Sequence, residues 1–175
     1  MLNRLIYPLM MMFVTASFLL LGCASNASPN IPSGLVITKQ ASNLVLLMSD
    51  FPLGWSKVNS SNSSGTSDAT YTNSADTMRC IVQVYPDINS AHTAYTNNYA
   101  QNSNVKAVTS ANIGNEAFGF RDIASMMGGA TNTAFTIVFR QNNVFVVVTI
   151  EAATGNNLQL SDALYWANKV EAKIG

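Results

Sequence analysis

Charge is what this chain has least of, with 9 basic and 9 acidic side chains among 175 residues and a formal net charge of zero. A surface without a basic stripe cannot grip phosphates, which argues against nucleic-acid binding. Histidine is scarcer still, because His92 is the only one. A transition-metal site needs several His, Cys or carboxylate ligands at compatible spacing, and the position four residues after His92 holds Thr96. His92 therefore reads as a solvent-facing helix residue, and no metal is expected. Neither Asp68 to Asp76 nor Asp162 has the clustered oxygens of a calcium loop. A Gly-x-Ser-x-Gly elbow is also missing, and a Ser-His-Asp arrangement would have to rely on His92. Glu116 and Asp122 are the nearest approach to a carboxylate pair for glycoside chemistry, but on one strand they would stand roughly 20 Å apart at about 3.3 Å per residue. Both read as structural turn residues, and no catalytic residue or enzyme activity is expected.

Cysteine is limited to Cys23 and Cys80. Cys80 lies in the strand-like run Arg79 to Tyr85, where it reads as a small buried hydrophobe. A catalytic thiol would need a base and an electropositive, partly open setting. Long apolar runs are limited as well. Leu9 to Leu21 is apolar except for Thr15 and Ser17, shorter than the roughly 20 residues a membrane-spanning helix needs, and Pro8 stands near its start.

What is present begins with that run. Met1-Leu2-Asn3-Arg4 supplies one positive charge before it, and Phe18-Leu19-Leu20-Leu21-Gly22-Cys23 closes it with a small residue ahead of a cysteine, the order of an export signal. Leu20-Leu21-Gly22-Cys23 resembles the lipobox of prokaryotic lipoproteins. That resemblance implies cleavage between Gly22 and Cys23, and a diacylglycerol and an N-acyl lipid, palmitate among the chains, on Cys23. At roughly 0.8 kcal/mol per buried methylene, one chain binds marginally and two anchor stably. No other cofactor is expected. Acylation of Cys23 would leave Cys80 without a disulfide partner. The expected location is the cell envelope, on the extracytoplasmic side of the membrane.

The expected organisation is a signal peptide over 1–22, a lipidated tether over 23–34 rich in Pro, Ser and Asn, and one α+β domain over 35–175. Removing 1–22 takes Arg4 with it and leaves 153 residues carrying 8 basic and 9 acidic groups. That length builds a core without metal or disulfide. Leu35 to Met48 reads as a short helix or extended lead-in, followed by a turn at Pro52 and Gly54, with Trp55 entering the first strand. Strands are expected over Trp55–Asn59, Ala69–Asn73, Arg79–Tyr85, Lys106–Ile113 and Glu116–Ile123, with Ser60–Asp68 a flexible surface loop and Gly114-Asn115 a turn. A hairpin follows. Phe135–Arg140 alternates as a half-buried strand, Gln141-Asn142-Asn143 turns, and Val144–Glu151 is apolar enough for a central strand covered on both faces.

A mid-chain helix is expected over Ser90–Gln101, capped by Asn89 or Ser90, with Ala91, Ala94, Tyr95 and Tyr99 as its buried stripe. A terminal helix is expected over Ser161–Lys173, capped by Ser161 with Asp162 in its first turn. Leu160, Ala163, Leu164, Ala167, Val170 and Ile174 define its stripe and leave Tyr165 exposed. Both helices must pack on the sheet. Exposed Tyr165 and the Met126-Met127 pair in a glycine loop are the candidate partner contacts. Asn26, Asn59 and Asn62 each open an Asn-x-Ser/Thr pattern.

Asp50-Phe51-Pro52-Leu53-Gly54-Trp55 is similar to the Asp-Leu-Pro-x-Gly-Trp opening of many bacterial envelope lipoproteins and receptor-kinase sensor domains. Ile113-Gly114-Asn115-Glu116-Ala117 resembles their Ile-Gly-Asp-Glu-Ala turn with Asn115 in place of the usual Asp, and Val138 to Val144 resembles their arginine-led hairpin. The resemblance spans roughly Leu44 to Ile174. It implies an antiparallel sheet with helices on its faces, as in Mog1/PsbP-like folds, whose members share no single chemistry. The expected role is a membrane-anchored binding module for an unknown envelope protein. The alternative is a small-ligand sensor or carrier with an apolar pocket between sheet and helix.

Overall fold

Period-two alternation organises the domain. In the computed structural model, which describes residues 34–102, 112–122, 133–152 and 157–175, six antiparallel strands form one sheet in the order β1-β2-β3-β6-β5-β4. They are β1 (Ser56–Ser63), β2 (Thr66–Thr72), β3 (Asp76–Val84), β4 (Glu116–Asp122), β5 (Ala134–Gln141) and β6 (Val144–Ala152). The helices are α1 (Ala41–Leu44), α2 (Ile88–Gln101) and α3 (Leu160–Ile174), with a 3₁₀ turn at Met48–Asp50. The fold is α+β. Cys80 pairs with Ala69 on one side and Val148 on the other, and Val148 pairs with Ile137. This row carries one apolar face straight across the sheet, and α1 and α3 cover it. The opposite face is apolar only where α2 sits, over Phe118, Val138 and Phe145.

That second layer corrects the half-buried reading of Phe135–Arg140. Every residue of β5 from Ala134 to Arg140 is buried, because α3 covers one face and α2 helps to cover the other. β6 is central, as expected.

The hairpin at the other end corrects the loop expected over Ser60–Asp68. Those residues are the inner halves of β1 and β2, turning at Ser64-Gly65, where Gly65 takes φ +78°. All eight residues of β1 are exposed, so no buried set exists to create an alternating pattern. Its strand character comes from the ladder with β2, and it begins at Ser56 rather than Trp55.

Helix ends also differ. Asp87, not Asn89 or Ser90, caps α2, its carboxylate accepting from the Ser90 amide at 2.7 Å. Ser90 is thus inside the first turn. Of the expected α2 stripe only Ala91 is fully buried, and Tyr99 is 51% exposed, its ring edge resting on Phe118. For α3 the boundary is Gln159, whose amide donates to Asp162 at 2.8 Å, so Ser161 lies within the helix and is exposed. Trp166 joins Ala163, Ala167, Val170 and Ile174 in the buried stripe, whereas Leu160 and Leu164 are half-buried. Residues 106–111 of the expected strand fall outside the described residues, and Asn112 and Ile113 are not in a strand.

Candidate functional site

The segment Asp50 to Trp55 clasps α3. Asp50 accepts from the Leu47 amide and pairs with Lys173, both at 2.7 Å, while its carbonyl accepts from Lys169. Burial pushes the Asp50 carboxyl up, but the Leu47 amide and Lys173 outweigh it and hold the group below its ordinary value. With the backbone fixed, Phe51 stacks between Tyr71 and Trp166, with ring centroids 4.3 and 4.5 Å away. Trp55 meets Trp166 edge-on at 5.6 Å. Tyr71 donates its hydroxyl to the Leu46 carbonyl.

Beside this aromatic cluster opens a groove of about 420 Å³, within the roughly 300–1,000 Å³ of small-molecule sites. Trp55, Tyr165 and Trp166 supply its aromatic walls, Ile150 and Leu158 add apolar surface, and Asn73, Asp76, Asn157 and Asp162 add polar groups. Tyr165 is 54% exposed, as expected of it. Lys169 places its ammonium 5.1 Å from the Tyr165 ring centre and 5.4 Å from that of Trp166, a cation–π arrangement.

A second, polar basin of about 240 Å³ lies on the sheet face beyond α2. Asn59, Ser61, Thr70, Thr77 and Thr149 line it together with Asp68 and Arg79. Arg79 donates to both oxygens of Asp68, at 3.1 and 2.6 Å. Such a pair, with Arg79 half exposed, organises the surface more than it stabilises the fold.

His92 and Glu116 are not what their isolated positions suggest. Glu116 starts β4 rather than lying in a turn, and it pairs with both His92, at 2.9 Å, and Arg140. His92 therefore ties α2 to the sheet instead of facing solvent. Arg140 is 1% exposed and also donates to the Asn142 carbonyl at 2.7 Å. Burial raises the Glu116 carboxyl, yet hydrogen bonds from His92 and Arg140 outweigh it and leave the group below its ordinary value. Asn115 has a polar role in the hairpin, since its Oδ1 accepts from the Asn142 amide at 2.7 Å. Beside it, buried Asn143 links the lead-in to the end of β3 by bonding Ile37 in both directions and donating to the Tyr85 carbonyl. Two of the motifs, Ile113 to Ala117 and the arginine-led hairpin, fall in this region.

Cys80 is fully buried and its thiol is pushed up to about 12, chiefly by burial, so it is a core residue. Among the described residues no group of three or more His, Cys, Asp or Glu is placed to hold a metal. No helix among them is long and apolar enough to cross a membrane. Gly22, Cys23, Met126 and Met127 lie outside the described residues, so Tyr165 is the one candidate contact whose surroundings are known.

No protein-family model matches this chain, and no curated protein matches it. Among solved structures it is similar to a Bacteroides thetaiotaomicron protein determined at 1.50 Å resolution, with a TM-score of 0.47 and 12% sequence identity. The alignment covers 67% of this chain and 42% of the other, so the chain spans less than half the length of that neighbour.

Proposed function

We propose that this protein is a lipid-anchored extracytoplasmic lipoprotein whose domain, of the Mog1/PsbP-like kind, is non-catalytic and binds another component of the cell envelope. The anchor rests on Leu20-Leu21-Gly22-Cys23 at the end of its apolar run. Recognition rests on one observation, the open aromatic groove beside α3 with Tyr165 on its wall. Trp55 and Trp166 border open space there rather than an enclosed chamber. On the core side Phe51 fills the gap between Tyr71 and Trp166, which favours a surface binder over a carrier. The absence of catalysis is supported by Glu116, whose carboxylate is committed to His92 and Arg140.

Intact-mass measurement of the membrane-extracted protein tests the anchor. The expected product lacks residues 1–22 and carries a lipid-sized increment on Cys23. A full-length, unmodified chain overturns the proposal. Cys23→Ser should leave the precursor unprocessed. Co-purification of the native protein with its envelope neighbours, compared with Tyr165→Ala, tests recognition: loss of neighbours in the variant supports it, and identical recovery refutes it.

A further inference from the structure

The groove beside α3 has a composition that selects among ligand chemistries. Its polar groups are both acceptors and donors. The Asp76 carboxylate has no protein partner among the described residues, and an ionised carboxylate only accepts hydrogen bonds. Asp162 uses Oδ2 for the Gln159 amide, which leaves Oδ1 to accept from a ligand. Asn73 accepts from the Ala75 and Asp76 amides through Oδ1, at 2.7 and 2.6 Å, so its amide NH₂ remains as a donor.

Anions are disfavoured by the two carboxylates. Cations meet an obstacle too, because the Lys169 ammonium already lies within 5.4 Å of the Tyr165 and Trp166 ring centres. A hydroxyl both donates and accepts, and a pyranose ring presents C–H faces that pack on aromatic side chains, as Trp55 and Tyr165 supply here. We propose that this groove binds a neutral, hydroxyl-rich saccharide, with Asp76, Asp162 and Asn73 reading its hydroxyls and the aromatic wall packing on its rings. Envelope glycan as the source rests on the anchored reading above, whereas the saccharide chemistry rests on the groove alone.

The chain supplies its own reporter. It has two tryptophans, Trp55 and Trp166, and both line this groove. The test is a tryptophan-emission titration of the full chain, purified from expressing cells in detergent, with chitotetraose and maltotetraose as saccharide probes and spermidine and inorganic phosphate as charged ones. A saturable emission change with a saccharide, absent with either charged probe, is expected. Tyr165→Ala and Asp76→Ala should each weaken it about tenfold, a loss of about 1.4 kcal/mol. Tyr165 is exposed and the Asp76 carboxylate makes no hydrogen bond or ion pair among the described residues, so both variants should fold. Asp68→Asn in the separate basin should leave the affinity unchanged. No saccharide response overturns the proposal, as does a response to spermidine or phosphate at equal concentration, or unchanged affinity in both groove variants. A saccharide response from a chain lacking the Cys23 lipid leaves the groove assignment standing and removes the anchored reading. A lipidated chain without the response does the reverse.

Discussion

Replacing Glu116 by Ala should destabilise this domain more than replacing Glu116 and Arg140 together. Arg140 is 1% exposed, and Glu116 is its acidic partner. Its Nη1 also donates to the Asn142 carbonyl, and its Nη2 is buried without a hydrogen-bond partner among the described residues. Removing one partner of a buried ion pair leaves an uncompensated charge and costs about 3–5 kcal/mol. Glu116 is 27% exposed, so water can approach from its side, and the expected cost is about 2–3 kcal/mol at neutral pH. For a domain of this size each kcal/mol lowers Tm by about 2–4 °C, giving a drop of about 4–12 °C in a melt followed by circular dichroism. In Glu116→Ala/Arg140→Met the buried charge is gone and an apolar side chain fills its place, so part of that loss should return. The pH dependence follows from the depressed Glu116 carboxyl. Its contribution is fully present above the ordinary value of 4.5 and is lost as pH falls through the lower folded value. Wild type and Glu116→Ala should therefore converge in Tm as the pH is lowered below about 4.5. A single variant melting within about 2 °C of wild type at pH 7, or a double variant less stable than the single, would refute the clamp.

Three further changes probe other links between sequence and fold. Gly114→Ala combines a φ of +59° with a Cβ 2.6 Å from the Arg140 carbonyl oxygen, and should cost at least about 2 kcal/mol in chemical denaturation. A cost below about 0.5 kcal/mol would mean that the turn relaxes freely. Phe51→Ala removes the ring stacked between Tyr71 and Trp166 and should cost about 2–3 kcal/mol, less than a fully buried Phe because Phe51 is half-buried. It should also red-shift the emission of Trp166, and an unshifted spectrum would contradict the stacking. Cys80, buried with its thiol pushed up to about 12, should resist iodoacetamide at pH 8 until the chain is unfolded in urea. Rapid labelling of native protein would contradict its burial.

How much of this was legible in the sequence depends on where each residue finds its partners. β3 and β6 could be read because their own side chains carry the signal. Cys80 and Val82 turn one way, and Val144 to Val148 is apolar throughout. β1 could not, because all eight of its residues are exposed and only the ladder with β2 makes it a strand. Arg140 misled for the opposite reason. Its place on the polar side of an alternating strand implies solvent, yet whether that side is wet depends on α2 and β4, which the strand does not encode. The groove is further from legibility still. Trp55 precedes β1, Asn73 precedes β3 and Asp76 begins it, Ile150 lies near the end of β6, and Asp162, Tyr165 and Trp166 ride on α3. No local period records such a meeting. The nearest trace is Asp50 to Trp55, which reads as a turn but acts over long range: Asp50 takes Lys169 and Lys173 from α3, and Phe51 takes Trp166. One helix is thus held by the clasp on its buried side while Tyr165 stays on the open side. The residues that shape the groove are for that reason the same ones that secure the fold, and an informative probe of binding must act on its rim, at Tyr165 and Asp76.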